Sequence, residues 1–467
     1  MLTSLLCIIP PVVVADESTE IVEPICNANR NDTWTVGLIY CDDRADQDYT
    51  LFAPMSSAST YLIDTHGRMI HSWTSSSSLR PGLSAYMLDD GDLLRTANIG
   101  TDGGGAFSGG GIAGKIERIS WDGHMEWEWY YVGDSRRSHH DIEPLPNGNF
   151  LMIAWEKKTT DQAEQAGRDP DKMSQNQLWP DHIVEVQPVG TNEANIVWKW
   201  HMWDHLIQDF DSTKDNYGVG ADHPELLDVN FADAAGPNKY KSDWMHCNGI
   251  DYNPILDQIA LSCKNTNEIY IIDHDGTFMA GDPEESHRLA ASEAGDFLSR
   301  FGNPANYGQG EYPYYAKKNW LLQEFSGHKQ IGGNHDIQWI KDGLPGAGNL
   351  FLFNNGLTVP RGQGDSDPQS EFLEINPYLD ANGVDTGRYV NPPDAGYTEV
   401  MPGTKTSQGP HATRLFSRQI LSMYHTTDGF NSHHGSAVQR FPNGNTLVQL
   451  ARVGRMVAVS YTHLRAH

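Results

Sequence analysis

A two-part unit recurs along the chain and limits the possible fold more than any other feature. Its first part is an apolar stretch, a tight turn and a second apolar stretch. Residues 84–94 turn at Asp90-Gly91, 141–151 at Asn147-Gly148 and 436–448 at Asn443-Gly444, with looser versions at 250–262 and 336–353. Asn, Asp and Gly tolerate the positive φ of a short hairpin turn, so each copy predicts two antiparallel strands. The second part alternates apolar and polar residues and often ends in tryptophan. It occupies 61–73, 116–129 and 183–200, with weaker copies at 269–279 and 372–378. A period of two places one face of a strand in a core and the other outside it.

Joining each first part to the second part that follows it gives repeated four-stranded units. Residues 49–54 with 61–73 add one more, for a total of six. Units of this length predict the blades of a propeller, since a stacked β-solenoid has shorter and more regular coils. The expected fold is all-β: a six-bladed β-propeller over 49–460, with helical and loop insertions. Residues 201–245 are expected to hold a helical insertion and 281–330 another; insertions of this kind shape the mouth of a propeller channel. Strand pattern stops after Ser460, so the last blade is expected to be incomplete and 461–467 to be a truncated or non-native tail. The 45 glycines and 25 prolines suit a fold made of turns.

The 33 basic and 61 acidic residues leave a net charge of −28, which argues against nucleic acid or an anionic membrane as a partner. An anionic substrate would need positive charge concentrated locally. Residues 1–15 are apolar, too short to span a bilayer, and read as a signal peptide, with 16–48 an N-terminal extension. No later run of 18 apolar residues follows, so a periplasmic or secreted protein, free of the membrane after cleavage, is expected. Cys7 would leave with the signal peptide. Cys26, Cys41, Cys247 and Cys263 then permit two disulfides, and Cys247 and Cys263 flank a predicted hairpin.

The chemical signal is positional. His139 and His140 immediately precede one hairpin, His246 the next, His335 the one after, and His433 and His434 the last. The innermost strand of a blade lines the axis, so its leading end opens into the central channel and these imidazoles should converge. Imidazole can be nucleophile, general acid or base, or metal ligand. Asp141 and Asp336 follow two of the histidines and keep a metal-dependent hydrolase in play. His66, His71, His124 and His328 lie in turns or polar strand positions and read as solvated. Residues 109–115 have the spacing of a phosphate loop, but Ile116 replaces its Ser/Thr and opens a strand. Asp273-His274-Asp275-Gly276 lacks the downstream Glu of a calcium loop and reads as a hairpin turn.

From about Thr35 to Val448 the chain resembles the bacterial arylsulfate sulfotransferases. The likeness is carried by His139-His140-Asp141-Ile142-Glu143, Trp203-Asp204-His205-Leu206-Ile207-Gln208-Asp209-Phe210-Asp211, residues 246–252, Asn334-His335-Asp336 and Phe353-Asn354-Asn355-Gly356. It implies an exported six-bladed propeller that moves a sulfuryl group from an aryl sulfate to a phenol. The transfer needs no nucleotide donor, metal or other cofactor, and passes through a sulfurylated histidine. By the resemblance, His434 is the nucleophile with His433 its rival, His246 and His335 support it, His140 joins the cluster, and Arg361 is the family arginine. The family's N-terminal β-domain has no counterpart before residue 49. Tyr424 and Phe430 are candidates to hold the ring, with core packing the alternative for each. Rivals from other classes are a non-catalytic propeller that binds a peptide or glycan, and a quinoprotein-like dehydrogenase.

Overall fold

The turns behave as their residues dictate: Gly91, Gly148 and Gly444 have φ of 90°, 84° and 87°, conformations open to glycine at no steric cost. The computed structural model describes residues 6–7, 38, 41, 44–100, 107–173, 175–231, 242–311, 328–356, 370–398, 416–424 and 431–460. Arg361, Phe430, Cys26 and the 461–467 tail lie outside these residues.

Six antiparallel sheets follow one another in chain order, each running from an inner to an outer strand. Blade one is Thr50–Phe52, Ser59–Ile63 and Met69–Thr74, with Leu6–Cys7, which falls in the 1–15 segment read as a signal peptide, paired along Thr50–Phe52; blade two is Arg80–Met87, Leu93–Asn98, Gly114–Ile119 and Met125–Tyr130. Blade three is Arg136–Pro144, Phe150–Glu156, Asp181–Val189 and Glu193–His201; blade four is Cys247–Asn253, Gln258–Cys263, Glu268–Asp273 and Phe297–Phe301. Blade five is His335–Trp339, Leu350–Asn354, Glu371–Ile375 and Ile420–Tyr424; blade six has Ala437–Arg440, Thr446–Leu450 and Arg455–Val459 among the described residues. The result is the six-bladed β-propeller. Blades six and one meet where Asn445 Nδ2 donates to the Arg44 carbonyl at 2.7 Å.

The tryptophans explain how flat blades become a ring. Trp73 of blade one is buried and its Nε1 donates to the Ser120 carbonyl of blade two; Trp127 of blade two does the same to Glu193 of blade three. Trp198 of blade three reaches Thr277 Oγ1 of blade four at 3.1 Å. Each ring fills an apolar seam while its polar edge finds a partner on the next blade, the use to which a large amphipathic ring is suited.

Two expectations about insertions need correction. The outer strands of blades four and five lie not within 269–279 and 372–378 but at Phe297–Phe301 and Ile420–Tyr424, beyond intervening segments. No short turn joins them to the preceding strand, so the hairpin signal is missing. Among its described residues, 201–245 holds no α-helix, only the 3₁₀ turns Met202–Asp204 and Gly220–Asp222 and the short strand pair Leu206–Ile207 and Leu227–Asp228. The helices are Thr160–Gln165, Pro283–Ala290 and Pro392–Ala395. Cys247 and Cys263 form a disulfide across the first two strands of blade four, and Cys41 is also disulfide-bonded. No helix among the described residues is long and apolar enough to cross a membrane. Asp273–Gly276 lies at the turn leaving the third strand of blade four, where buried His274 joins Asp257 at 2.7 Å and Glu185 of blade three at 3.1 Å.

Around the axis the inner strands are joined by carboxylates. Asp141 accepts from Tyr86 Oη of blade two, from its own neighbour Ile142 N and from Ile250 N of blade four, at 3.0, 3.0 and 3.1 Å. Asp251 accepts from Trp339 N at 2.6 Å and Asp336 from Val438 N at 2.7 Å, continuing the ties to blades five and six. Burial raises all three, Asp141 to about 8, Asp336 to about 7 and Asp251 to about 6, while the bonds they accept act in the opposite direction. A carboxyl whose folded value exceeds its unfolded one near 3.8 binds its proton more tightly when folded. Its contribution is complete below the unfolded value and is lost as pH rises through 6 to 8. We therefore expect the melting temperature, read by calorimetry, to fall by several degrees between pH 6 and pH 9. A flat profile would mean that these carboxyls ionise without cost.

Candidate active site

A left-handed backbone position recurs at the leading ends of the inner strands, beside the histidines. Leu83, His140 and Asp336 on the inner strands of blades two, three and five, and His246 and Ser436 immediately before those of blades four and six, all have positive φ, at 104°, 52°, 55°, 56° and 87°. In blades two, three and five the pairing with the second strand shifts register at that residue, and in blade four it shifts at Asn248, two residues after His246. Such a bulge re-aims side chains, and a left-handed non-glycine residue costs on the order of 1 kcal/mol or more that surrounding structure must over-determine. All five residues line one cavity of about 640 Å³ at the axis, a volume suited to a small aromatic ligand.

His140, His246, His335, His433 and His434 line that same cavity. His140 and His246 stand edge to face with ring centroids 4.6 Å apart. His139 turns the other way, buried and stacked on Trp155 at 4.0 Å. Its Nδ1 lies 2.9 Å from His140 Nδ1, while its Nε2 lies 2.7 Å from Asp181 Oδ1 but out of line for a hydrogen bond. His434 is exposed at the rim, and His433 is half-buried beside it.

The partners of the ring nitrogens differ in a way that matters chemically. His335 Nδ1 donates to the Gly333 carbonyl and to Asn355 Oδ1, at 2.9 and 2.7 Å. Both acceptors are neutral, so the proton sits on Nδ1 and the Nε2 lone pair is left available. Asn355 Nδ2 in turn donates to the Ser432 and Gly435 carbonyls, at 2.8 and 3.0 Å, which flank His433 and His434. His246 Nδ1 instead meets the Asp243 carboxylate at 2.5 Å.

Burial, reinforced by Lys264, holds His335 down at about 3, and burial with the neighbouring imidazoles holds His140 well below the usual range. Both are neutral at ordinary pH. His434 is lowered by partial burial and then by Lys264 and Arg452. Lys264 lines the cavity and lies within electrostatic reach of His140, His335 and His434. It is the local positive charge that an anionic ligand would need in a chain of net charge −28.

Sequence reasoning did not single out Lys264, Asp243, Asn248 or Trp179, which all line the cavity, nor the role of Asn355. Asp243 stands three residues before His246 in Asp243-Trp244-Met245-His246, a spacing that was legible; Lys264 carries no repeat signal. Tyr424 belongs to the outer strand of blade five and stacks on Phe372 at 5.3 Å, away from the cavity. The glycines of 109–115 do have a purpose, though not phosphate binding. Gly109, Gly110 and Gly111 line the cavity, and the His140 N–H donates to the Gly111 carbonyl at 2.7 Å. Asp141 and Asp336 direct oxygens to backbone amides of neighbouring blades, and among the described residues no group of three His, Cys, Asp or Glu is placed to hold a metal ion.

Comparison with known proteins adds a family. The family model described as Arylsulfotransferase (ASST) matches residues 41–375. No curated protein matches the chain. Among solved structures, a protein of unknown function from Bacteroides caccae is 11% identical with a TM-score of 0.38, covering 89% of this chain and 91% of that one. Hydrazine synthase from Kuenenia stuttgartiensis is 11% identical with a TM-score of 0.36, covering 65% and 64% respectively. Virginiamycin B lyase from Staphylococcus aureus is 12% identical with a TM-score of 0.33, covering 89% and 82%.

Proposed function

Because this chain belongs to the arylsulfotransferase family, we propose that it moves a sulfuryl group from an aryl sulfate to a phenol, outside the cytoplasm, through a sulfurylated histidine of the axial cavity. The observation that carries the reading is His335: a buried, neutral imidazole whose Nδ1–H is fixed by two acceptors, in a cavity that also holds Lys264. A nucleophile must present a lone pair without first losing a proton, and His335 Nε2 meets that condition. His434, the candidate favoured by the sequence, is exposed, and Asn355 holds its loop through main-chain carbonyls rather than through its ring. We therefore place the nucleophile at His335 and His434 at the rim, where it helps hold the acceptor.

In the first half-reaction His335 Nε2 attacks sulfur, the bond from sulfur to the aryl oxygen breaks, and a proton from His246 Nε2 goes to that oxygen. The phenol leaves. In the second, the acceptor phenol gives its proton to His246 Nε2 as its oxygen attacks sulfur and the nitrogen–sulfur bond breaks. Lys264 binds sulfuryl oxygens and His140 faces the same charge, while Arg361, the family arginine by resemblance, lies outside the described residues. Positioning and charge stabilisation suffice, because an aryl oxygen is already a competent leaving group. The disulfide fits export to an oxidising compartment.

Incubation with a chromogenic aryl sulfate, with and without added phenol, tests the reading. Release that rises at least ~10-fold with acceptor supports transfer. Equal release in its absence would make the protein a sulfatase, and no release would favour a binding propeller.

A further inference from the structure

We propose that Asp243 is a positioning residue that makes His246 the proton donor and acceptor of the transfer, and that this pair extends the enzyme's range to phenols that leave poorly. The inference rests on the sulfuryl-transfer reading of the same cavity. Each inward imidazole has a different companion: His335 a neutral amide and a carbonyl, His140 another imidazole, and His246 a carboxylate. Among these three only His246 has a carboxylate on Nδ1, the partner that orients an imidazole for general acid–base work.

Asp243 is itself fixed. Its Oδ1 accepts from Trp155 Nε1 at 3.1 Å and its carbonyl accepts from Asn265 Nδ2 at 3.0 Å. Burial opposes its ionisation, but the charge and hydrogen bond of His246, with help from His139 and Trp155, keep its carboxyl below the usual range. The other groups that act on this pair are His139, His140, Asp181 and His335, and Lys264 also lines the cavity, its backbone N–H donating to the His246 carbonyl. None of the imidazoles among them brings the negative charge that Asp243 supplies.

In the donor half-reaction the proton on His246 Nε2 passes to the aryl oxygen as its bond to sulfur breaks, leaving Nδ1–H on the carboxylate. The acceptor phenol restores that proton in the return half-reaction, so no further reagent is consumed. A phenol that departs readily as phenolate needs little of this help, whereas an unactivated or alkyl-substituted phenol needs all of it.

The test is Asp243→Asn measured as kcat/KM over a series of aryl sulfates. With 4-nitrophenyl sulfate the loss should stay within ~3-fold, and with phenyl or 4-methylphenyl sulfate it should reach ~10²-fold or more, the usual worth of general acid catalysis. His246→Gln should show the same donor-selective loss, which keeps the test available if the first variant does not fold. A loss equal across donors, or none, overturns the assignment while leaving sulfuryl transfer by the wild-type protein intact. A wild-type protein that transfers from no donor would overturn the functional reading itself.

Discussion

His335→Ala is expected to abolish the sulfurylated enzyme and to lower kcat/KM by ~10⁴-fold or more, whereas His434→Ala should cost ~10-fold. The expectation follows from three separate properties of His335. It is buried to 7% exposure, so no water layer has to be stripped from it when substrate enters. Its tautomer is set by the Gly333 carbonyl and Asn355 Oδ1. Burial with Lys264 nearby keeps it unprotonated. Alanine removes the attacking atom while leaving Lys264, His140 and His246 to bind the anion, so KM should change much less than kcat. Mass spectrometry after mixing with an aryl sulfate, followed by peptide mapping, reads the outcome directly. A sulfuryl group found on the peptide carrying His434, with full activity in His335→Ala, would move the nucleophile to blade six.

The two assignments differ because the sequence records register and not environment. Histidine before four of the five hairpins was legible, as were the turns at Gly91, Gly148 and Gly444 and the propeller they generate. Those features are local: a turn residue or a period of two acts within a few positions. What makes His335 unlike His434 comes from Asn355, 20 residues away from the former and just past the end of the neighbouring strand. The outer strands of blades four and five escaped for a related reason, since each pairs with a strand from which an insertion separates it. Asp141 and Asp336 were taken as possible metal ligands because a carboxylate beside a histidine is ambiguous in one dimension. Their partners, Ile250 N and Val438 N, lie on the next blade and turn them into ties around the ring.

The same distinction between local pattern and close approach governs the glycine loop. Gly111→Ala should lower transfer by ~10²-fold, the effect of displacing a reacting group by about 1 Å, and destabilise the protein by about 1–3 kcal/mol. A Cβ on Gly111 would lie 2.3 Å from His140 Nε2 and Cδ2, and the residue has φ of 71°, where L side chains are strained. The His140 ring cannot simply swing aside. It is packed between His139 and His246 with centroids 5.2 and 4.6 Å away, and the backbone N–H of His140 is held by the Gly111 carbonyl. Any adjustment therefore disturbs His246, the proposed proton carrier. Gly110→Ala is the matched control: its nearest contact is His246 Cε1 at 3.7 Å, an ordinary van der Waals distance, so activity within ~3-fold of wild type is expected. Melting curves and transfer rates of the two variants, measured together, separate a crowded histidine from a glycine that merely fills a loop. Equal behaviour of the two would show that the loop does not press on the cavity in solution.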